Sequence, residues 1–284
     1  MRPAPSSEAV SGFAPPPVAL TVAGFDPSSG AGVTADLAVF AAHGIFGTSV
    51  ITAMTVQSTM GVAGVRATDP GWLLRSIEHL VADLPAAGVK IGMLGSDAIV
   101  RAIVSFLQQV PGSIPVVLDP VLRSSSGHEL LEPQAVRRMQ TELLPLVRWI
   151  TPNWNELSVL SGLPVRSIDQ VKEAADAIGR KHPRLHIVAT GGDQEEPVDF
   201  LRVPGGAVQV FRGERVETAS THGTGCAFSA ALLSRLILGD APAVAVARAK
   251  GYVTEALRMA PAVGHGRGPL NLLWPLRGGG RRGC

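Results

Sequence analysis

The sequence predicts a doubly wound α/β domain, with a mostly parallel central sheet, helices on both of its faces and a small antiparallel edge. Three observations carry this expectation. Short apolar runs alternate along the chain with longer stretches of helical periodicity, the pattern of buried parallel strands and their crossovers. The polar, glycine-rich clusters "FDPSSGAG", "QSTMG", "GSD", "DPVLRSSSG", "NWNE" and "TGGD" each follow an apolar run, at the strand ends where such a sheet binds ligands. Finally, 284 residues with 46% hydrophobic and 17% charged side chains supply a core for one large α/β domain.

The elements follow in order. "VALTVAG" (18–24) reads as a buried strand, and the loop "FDPSSGAG" leads into a helix near 33–43. "GTSVITAMTVQ" (47–57) is a second strand. "PGWLLRSIEHLVADL" places Leu73, Ile77, Leu80 and Leu84 at helical spacing. "GVKIGML" is a strand, "DAIVRAIVSFLQQV" a helix, "IPVVLDP" a strand, "PQAVRRMQTELL" a helix and "RWITPN" a short strand. The helix "IDQVKEAADAIGRK" and the strand "LHIVAT" come next. "DFLRV" and "AVQVFRGERVE" have the look of antiparallel edge strands, and helices near 226–239 and 241–259 close the domain. The domain is expected over 18–275, after a Pro- and Ala-rich disordered lead-in (1–17) and before a flexible basic tail (276–284).

Composition excludes several classes of function. A net charge of +2 makes no general case for nucleic acid or a membrane surface. The opening residues lack the apolar stretch of a signal peptide, and no run approaches the ~18 apolar residues of a membrane span. Two cysteines, Cys226 and Cys284, cannot form a disulfide framework and suit a reducing cytoplasm.

The motifs carry more. In "THGTGCAFSAALL" (221–233) a glycine turn becomes a helix at Cys226, where free N–H groups and the helix dipole can cradle an anion or acidify a thiol. A buried inert cysteine in a tightly packed helix fits the same residues. "GAGVTA" (30–35) imitates a dinucleotide fingerprint, but the stretch that should hold an acidic ribose ligand ends instead in Gln57. No P-loop and no zinc spacing occurs, and His222 beside the glycine turn reads as structural. Asp119 and Glu156 follow neighbouring strands and could organise Mg²⁺ through waters; equally, Asp119 could form a turn before Pro120 and Glu156 could serve a helix N-terminus. "ATGGD" (189–193) is either a phosphate cradle or an ordinary tight turn.

In their order, "ALTVAGFDPSSGAGVTADL", "GTSVITAMTVQST", "KIGMLGS", "VVLDPVL", "ITPNWNE", "GG", "STHGTGCAFSAAL" and "GHGRGP" resemble the hydroxymethylpyrimidine/phosphomethylpyrimidine kinases of thiamine biosynthesis. That family lies in the ribokinase-like superfamily, and the resemblance covers roughly 18–275. It implies ATP-dependent phosphorylation of 4-amino-5-hydroxymethyl-2-methylpyrimidine and its monophosphate, with Mg²⁺, by a cytoplasmic homodimer. It makes Cys226 the catalytic base and Gly223, Thr224, Gly225 and Cys226 the anion hole. Gln57 would bind the aminopyrimidine in a pocket lined by Gly24, Asp26, Gly32 and Met93. Asp119, Asn153, Glu156, Thr190, Gly191 and Gly192 would face Mg-ATP.

The chain departs from the family where "VLVKGGH" becomes "IVATGGD", putting Thr190 at the lysine and Asp193 at the histidine. Arg123 stands where the family often has an apolar residue. It either replaces the missing cation or faces solvent. Pyridoxal kinase of the same fold and a non-catalytic pyrimidine-binding module are the competing readings. The amide of Gln57 favours an aminopyrimidine edge, since it both donates and accepts.

Overall fold

The apolar run at 18–24 forms β1 (Val18–Phe25), whose six central residues are buried. The computed structural model describes residues 14–124, 127–192 and 194–277. Most of the expected lead-in and tail, and Asp193, therefore lie outside the described residues.

From β1 the chain enters α1 (Gly32–Ala42) and then β2 (Phe46–Ser58), which pairs parallel to β1. The chain turns at Gly61, with φ of +125°, into β3 (Gly61–Ala67), antiparallel to β2. β3 was not foreseen. "GVAGVRA" has two glycines and few large apolar residues, so its strand character comes from pairing with β2 rather than from propensity.

α2 (Pro70–Asp83) returns the chain to β4 (Gly88–Ile91) on the far side of β1, and α3 (Asp97–Leu107) leads to β5 (Val116–Leu118). The expected helix at 133–144 is α4 (Pro133–Arg138), continued by a π-helical turn at 139–143 and a 3₁₀ turn at 144–146, where Pro145 cannot extend an α-helix. β6 (Trp149–Ile150) is followed by α5 (Trp154–Ser161), a helix whose N-terminus one of the two readings of Glu156 anticipates. Then come α6 (Ile168–Lys181), β7 (His186–Ala189), β8 (Val198–Arg202), β9 (Val208–Arg212), α7 (Thr224–Ile237), α8 (Pro242–Arg258) and the short α9 (Trp274–Arg277).

Among the described residues, nine strands form one sheet in the order β3-β2-β1-β4-β5-β6-β7-β8-β9. The six from β2 to β7 are parallel, and antiparallel strands flank them on both sides. Two apolar clusters cover the faces. One packs α2 to α6 against the sheet around Leu73, Ile77, Ile103 and Met139. The other packs α1, α7 and α8 around Phe40, Ala231, Leu232 and Tyr252. Strand order reverses between β1 and β4, which opens a crevice beyond their carboxyl ends.

Candidate active site

A cleft of about 1010 Å³ lies over these strand ends. Helix termini define its chemistry. α2, α3, α5 and α6 are capped by side chains, from Asp69, Ser96, Asn153 and Ser167. α1 and α7, which open on the cleft, have no side-chain cap. Their first N–H groups and dipoles are thus left to whatever enters the cleft. Cys226 lies where the two termini meet. It is partly exposed, and the Gly32 N–H at the start of α1 acts to lower its pKa.

Two glycines make this junction possible. Gly223 has φ of +84°, and a Cβ there would lie 1.8 Å from the Gly30 carbonyl oxygen. Gly32 has φ of +63°, and its Cβ would meet the Gly24 carbonyl oxygen at 2.2 Å. Only glycine permits both the angle and the approach. The dinucleotide imitation at 30–35 therefore serves a different end. The His222 ring fills the space beside Gly30, where a Cβ would lie 2.2 Å from its Cδ2.

Of the two readings of this cysteine, an acidified thiol and a buried one, the surroundings favour the second in the free protein. Burial pushes the thiol up to about 12, with the Lys90 charge pulling against burial and the Asp119 and Asp36 carboxylates adding to it. It therefore carries its proton at neutral pH in the free protein.

On one side of Cys226 the cleft is walled by Gly24, Met93 and Gln57, and a Cβ on Gly24 would touch the Met93 sulfur at 3.0 Å. Asp26 lines this wall with its oxygens already engaged. Oδ1 accepts from the Ser28 N–H and hydroxyl at 2.8 and 2.7 Å, and Oδ2 from the Ala31 N–H at 3.0 Å and from His222 Nε2 at 2.7 Å. Burial alone would raise the Asp26 pKa, but the bonds from His222 and Ser28 win and hold it below the usual value. His222 is thus part of the site as well as of its scaffold, a role the sequence reading missed. Its Nε2 also lies 3.1 Å from the Gln57 amide nitrogen. One ring nitrogen cannot donate to the carboxylate and accept from the amide, and the charge-assisted bond to Asp26 prevails. The Gln57 amide nitrogen is consequently left for a ligand that accepts, while Gln57 Oε1 accepts from the Thr55 hydroxyl at 3.2 Å and keeps a lone pair for a donor.

On the other side, Asp119 follows β5 and accepts from the Ser229 hydroxyl of α7 at 3.1 Å. Burial raises its pKa to about 6 against the pull of Lys90. Glu156 forms a capping box with Asn153: Glu156 Oε2 accepts from the Asn153 N–H, and Asn153 Oδ1 from the Glu156 N–H, both at 2.9 Å. The helix-terminus role of Glu156 is therefore real, and its Oε1 also accepts from the Leu122 N–H at 3.4 Å. Both residues still line the cleft, as does Thr151, whose buried hydroxyl has no hydrogen-bond partner among the described residues.

The "TGGD" turn is only partly as expected. Thr190 lines the cleft, but Gly191 and Gly192 do not. The Gly191 N–H donates to Asp199 Oδ1 at 3.0 Å, and Asp199 is held by Lys250 at 2.9 Å, so this N–H is turned into the fold and cannot cradle a phosphate. Arg123 lies on the cleft wall in an exposed ion pair with Glu129 at 3.0 Å.

No group of three metal-ligating side chains converges among the described residues. A water-clad Mg²⁺ needs fewer, since it binds through one or two carboxylates and keeps most of its waters. Asp119, with a single side-chain hydrogen bond, and the unpartnered Thr151 hydroxyl nearby fit that requirement.

The profile of the phosphomethylpyrimidine kinase family matches residues 26–271. The chain belongs to that family. It is 35% identical over 259 residues to a hydroxymethylpyrimidine/phosphomethylpyrimidine kinase of Staphylococcus aureus, covering 90% of this chain and 93% of that one. The phosphomethylpyrimidine kinase of Clostridium difficile superposes with a TM-score of 0.75 at 37% identity, over 85% of this chain and 99% of that one. The pyridoxal kinase of Staphylococcus aureus, solved with AMP-PCP and pyridoxal, superposes with a TM-score of 0.81 at 27% identity, over 91% and 94%. The fold thus fits both kinds of kinase, while sequence identity favours the phosphomethylpyrimidine kinases.

Proposed function

We propose that this enzyme transfers the γ-phosphoryl group of ATP to 4-amino-5-hydroxymethyl-2-methylpyrimidine and to its monophosphate, as a step toward thiamine diphosphate. The observation that carries this reading is the position of Cys226. It stands where two uncapped helix N-termini meet, with the Gln57 amide on one side and the Asp119 carboxylate on the other. Phosphoryl transfer needs little covalent help from a protein. It needs the reactants held in line and the charge on the moving group stabilised.

The residues divide that work. Gln57 presents donor and acceptor to the aminopyrimidine edge, and Gly24, Gly32 and Met93 shape the flat pocket around the ring. The N–H groups of Gly223, Thr224, Gly225 and Cys226 face the transferring phosphoryl. Asp119, with Glu156 beside it, would hold Mg²⁺, which would supply positive charge to offset that of the phosphates. Asn153 and Thr190 border the nucleotide, and Arg123 is the candidate for the cation that Thr190 does not supply.

Cys226 accepts the hydroxymethyl proton as that oxygen attacks phosphorus. Because burial above all keeps the thiol protonated in the free enzyme, this role requires its pKa to fall when the cleft fills; a cation at Asp119 would contribute by offsetting a carboxylate that raises it.

We further assign the enzyme to the cytoplasm and to a homodimer. No described helix is long and apolar enough to cross a membrane. Met54 and Val56 on one face of β2, and Met60 at the hairpin turn, are 49, 68 and 71% exposed, and this apolar patch suits a second copy of the chain.

Turnover of Mg-ATP with the hydroxymethylpyrimidine, its monophosphate and pyridoxal as alternative acceptors tests the reading. The two pyrimidines are expected to be phosphorylated with higher kcat/KM than pyridoxal. A preference for pyridoxal would select the second reading, which the superposition on pyridoxal kinases supports. No turnover with any acceptor would leave a pyrimidine-binding module.

A further inference from the structure

The turn after β7 rests on a buried ion pair for which the steps above have no use. Asp199 of β8 is buried, and its Oδ2 lies 2.9 Å from the Lys250 ammonium, which reaches it from α8. Its Oδ1 accepts from the Gly191 N–H at 3.0 Å. Stability alone is a poor reason for such a pair, because a buried ion pair can often be replaced by apolar residues at no loss.

The backbone around the pair gives a better reason. Two glycines let it form. A Cβ on Gly213, just past β9, would lie 2.7 Å from Lys250 Cε, so a side chain there would bar the path of the lysine. A Cβ on Gly191 would lie 2.3 Å from the Val198 carbonyl oxygen and 3.1 Å from the indole nitrogen of Trp154, the first residue of α5. Only without that Cβ can the turn lie against both. On its other side, the Thr190 N–H donates to the Pro152 carbonyl at 2.9 Å, and Thr190 bridges Asn153 in parallel register. Thr190 and Asn153 both line the cleft, and Asn153 caps the helix that carries Glu156. The turn is thus clamped between the Asp199 carboxylate and the start of α5, with Thr190 as its member in the cleft.

We propose that Asp199 is a positioning residue for the nucleotide: its Oδ1 seats the Gly191 turn and so keeps Thr190 in register with Asn153 on the nucleotide side of the cleft, while Lys250 fixes the carboxylate. The role rests on the phosphotransfer reading above. What the turn needs from residue 199 is an acceptor; the charge is needed only to match Lys250.

The test separates acceptor from charge in the full chain. Lys250→Met/Asp199→Asn removes both charges and leaves an oxygen for the Gly191 N–H. Lys250→Met/Asp199→Leu removes the oxygen as well, and Lys250→Met/Asp199→Ala repeats that loss without added bulk. KM for ATP is expected to rise about tenfold where the oxygen is missing, the usual scale for a buried N–H deprived of its partner, and to stay within about twofold of wild type in the asparagine variant. In all three, kcat and KM for the pyrimidine should stay constant. Dissociation constants for ADP, from titration calorimetry, should follow the same order. Equal nucleotide constants with and without the oxygen overturn the assignment. So does loss of the fold in the asparagine variant, or in both variants that lack the oxygen, which would make the pair structural. A chain that phosphorylates no acceptor, yet binds ADP more weakly only where the oxygen is missing, would sink the kinase reading and leave the seat of the turn standing.

Discussion

Cys226 shows how much a residue's neighbours alter its chemistry. A helix N-terminus lowers a thiol pKa, and that much follows from "GTGC". Burial between α1 and α7, with two carboxylates near, reverses the sign and places the thiol at about 12. The folded-state value lies above the ordinary one, so the thiolate appears only as pH rises. Alkylation of Cys226 in the free protein should therefore climb about tenfold per pH unit from pH 7 to 10. A plateau near pH 8 would show an acidified thiol instead. Cys226→Ala should keep the fold and lower kcat by ~10²–10⁴-fold, the usual loss of a general base. Retention of half the activity would remove Cys226 from that role. His222, passed over in the sequence as structural, is legible only once Asp26 and Gln57 are seen at 2.7 and 3.1 Å from one of its nitrogens.

At the scale of elements, the turn before α7 is the most constrained segment of the site. Gly223→Ala meets both a positive φ and a backbone oxygen at 1.8 Å. The left-handed angle alone costs about 1–2 kcal/mol, and the clash must displace the loop that carries Gly30. Loss of most activity is expected, with a thermal midpoint lowered by several degrees. Gly239→Ala, at the other end of the same helix, is the control. Its φ is +87°, but no atom lies within 4 Å of the added Cβ, so the variant should lose about 1 kcal/mol and keep wild-type kcat. Equal damage from both substitutions would show that the angle matters and the close approach does not. That these two helices are uncapped is decided by the structure, because Thr34 and Thr224 are capping residue types and only the fold puts Ala31 and Gly223 at the N-caps.

For the whole molecule, the crevice follows from strand order. β1 is flanked by β2 and β4, so loops from both halves of the chain meet above it. The β2–β3 hairpin extends the sheet beyond that crevice and exposes Met54 and Val56. Sedimentation equilibrium should find a dimer, and Met54→Ser/Val56→Ser should shift it to monomer while each chain remains folded. A wild-type monomer at micromolar concentration would refute the assembly.

The sequence by itself determined the alternation of strands and helices, the placement of the polar clusters at strand ends and the family resemblance, because periodicity and local turn chemistry report which face of an element is buried. It left undecided whatever depends on partners distant in the chain. β3 exists because β2 pairs with it, and the Gly191 N–H turns inward because Asp199 and Lys250 lie behind it. Lys90 and Asp36, 54 residues apart, read in sequence only as stray charges in apolar runs. Folding buries them together at 2.8 Å, where the absence of water makes each charge count for more than any local pattern can express.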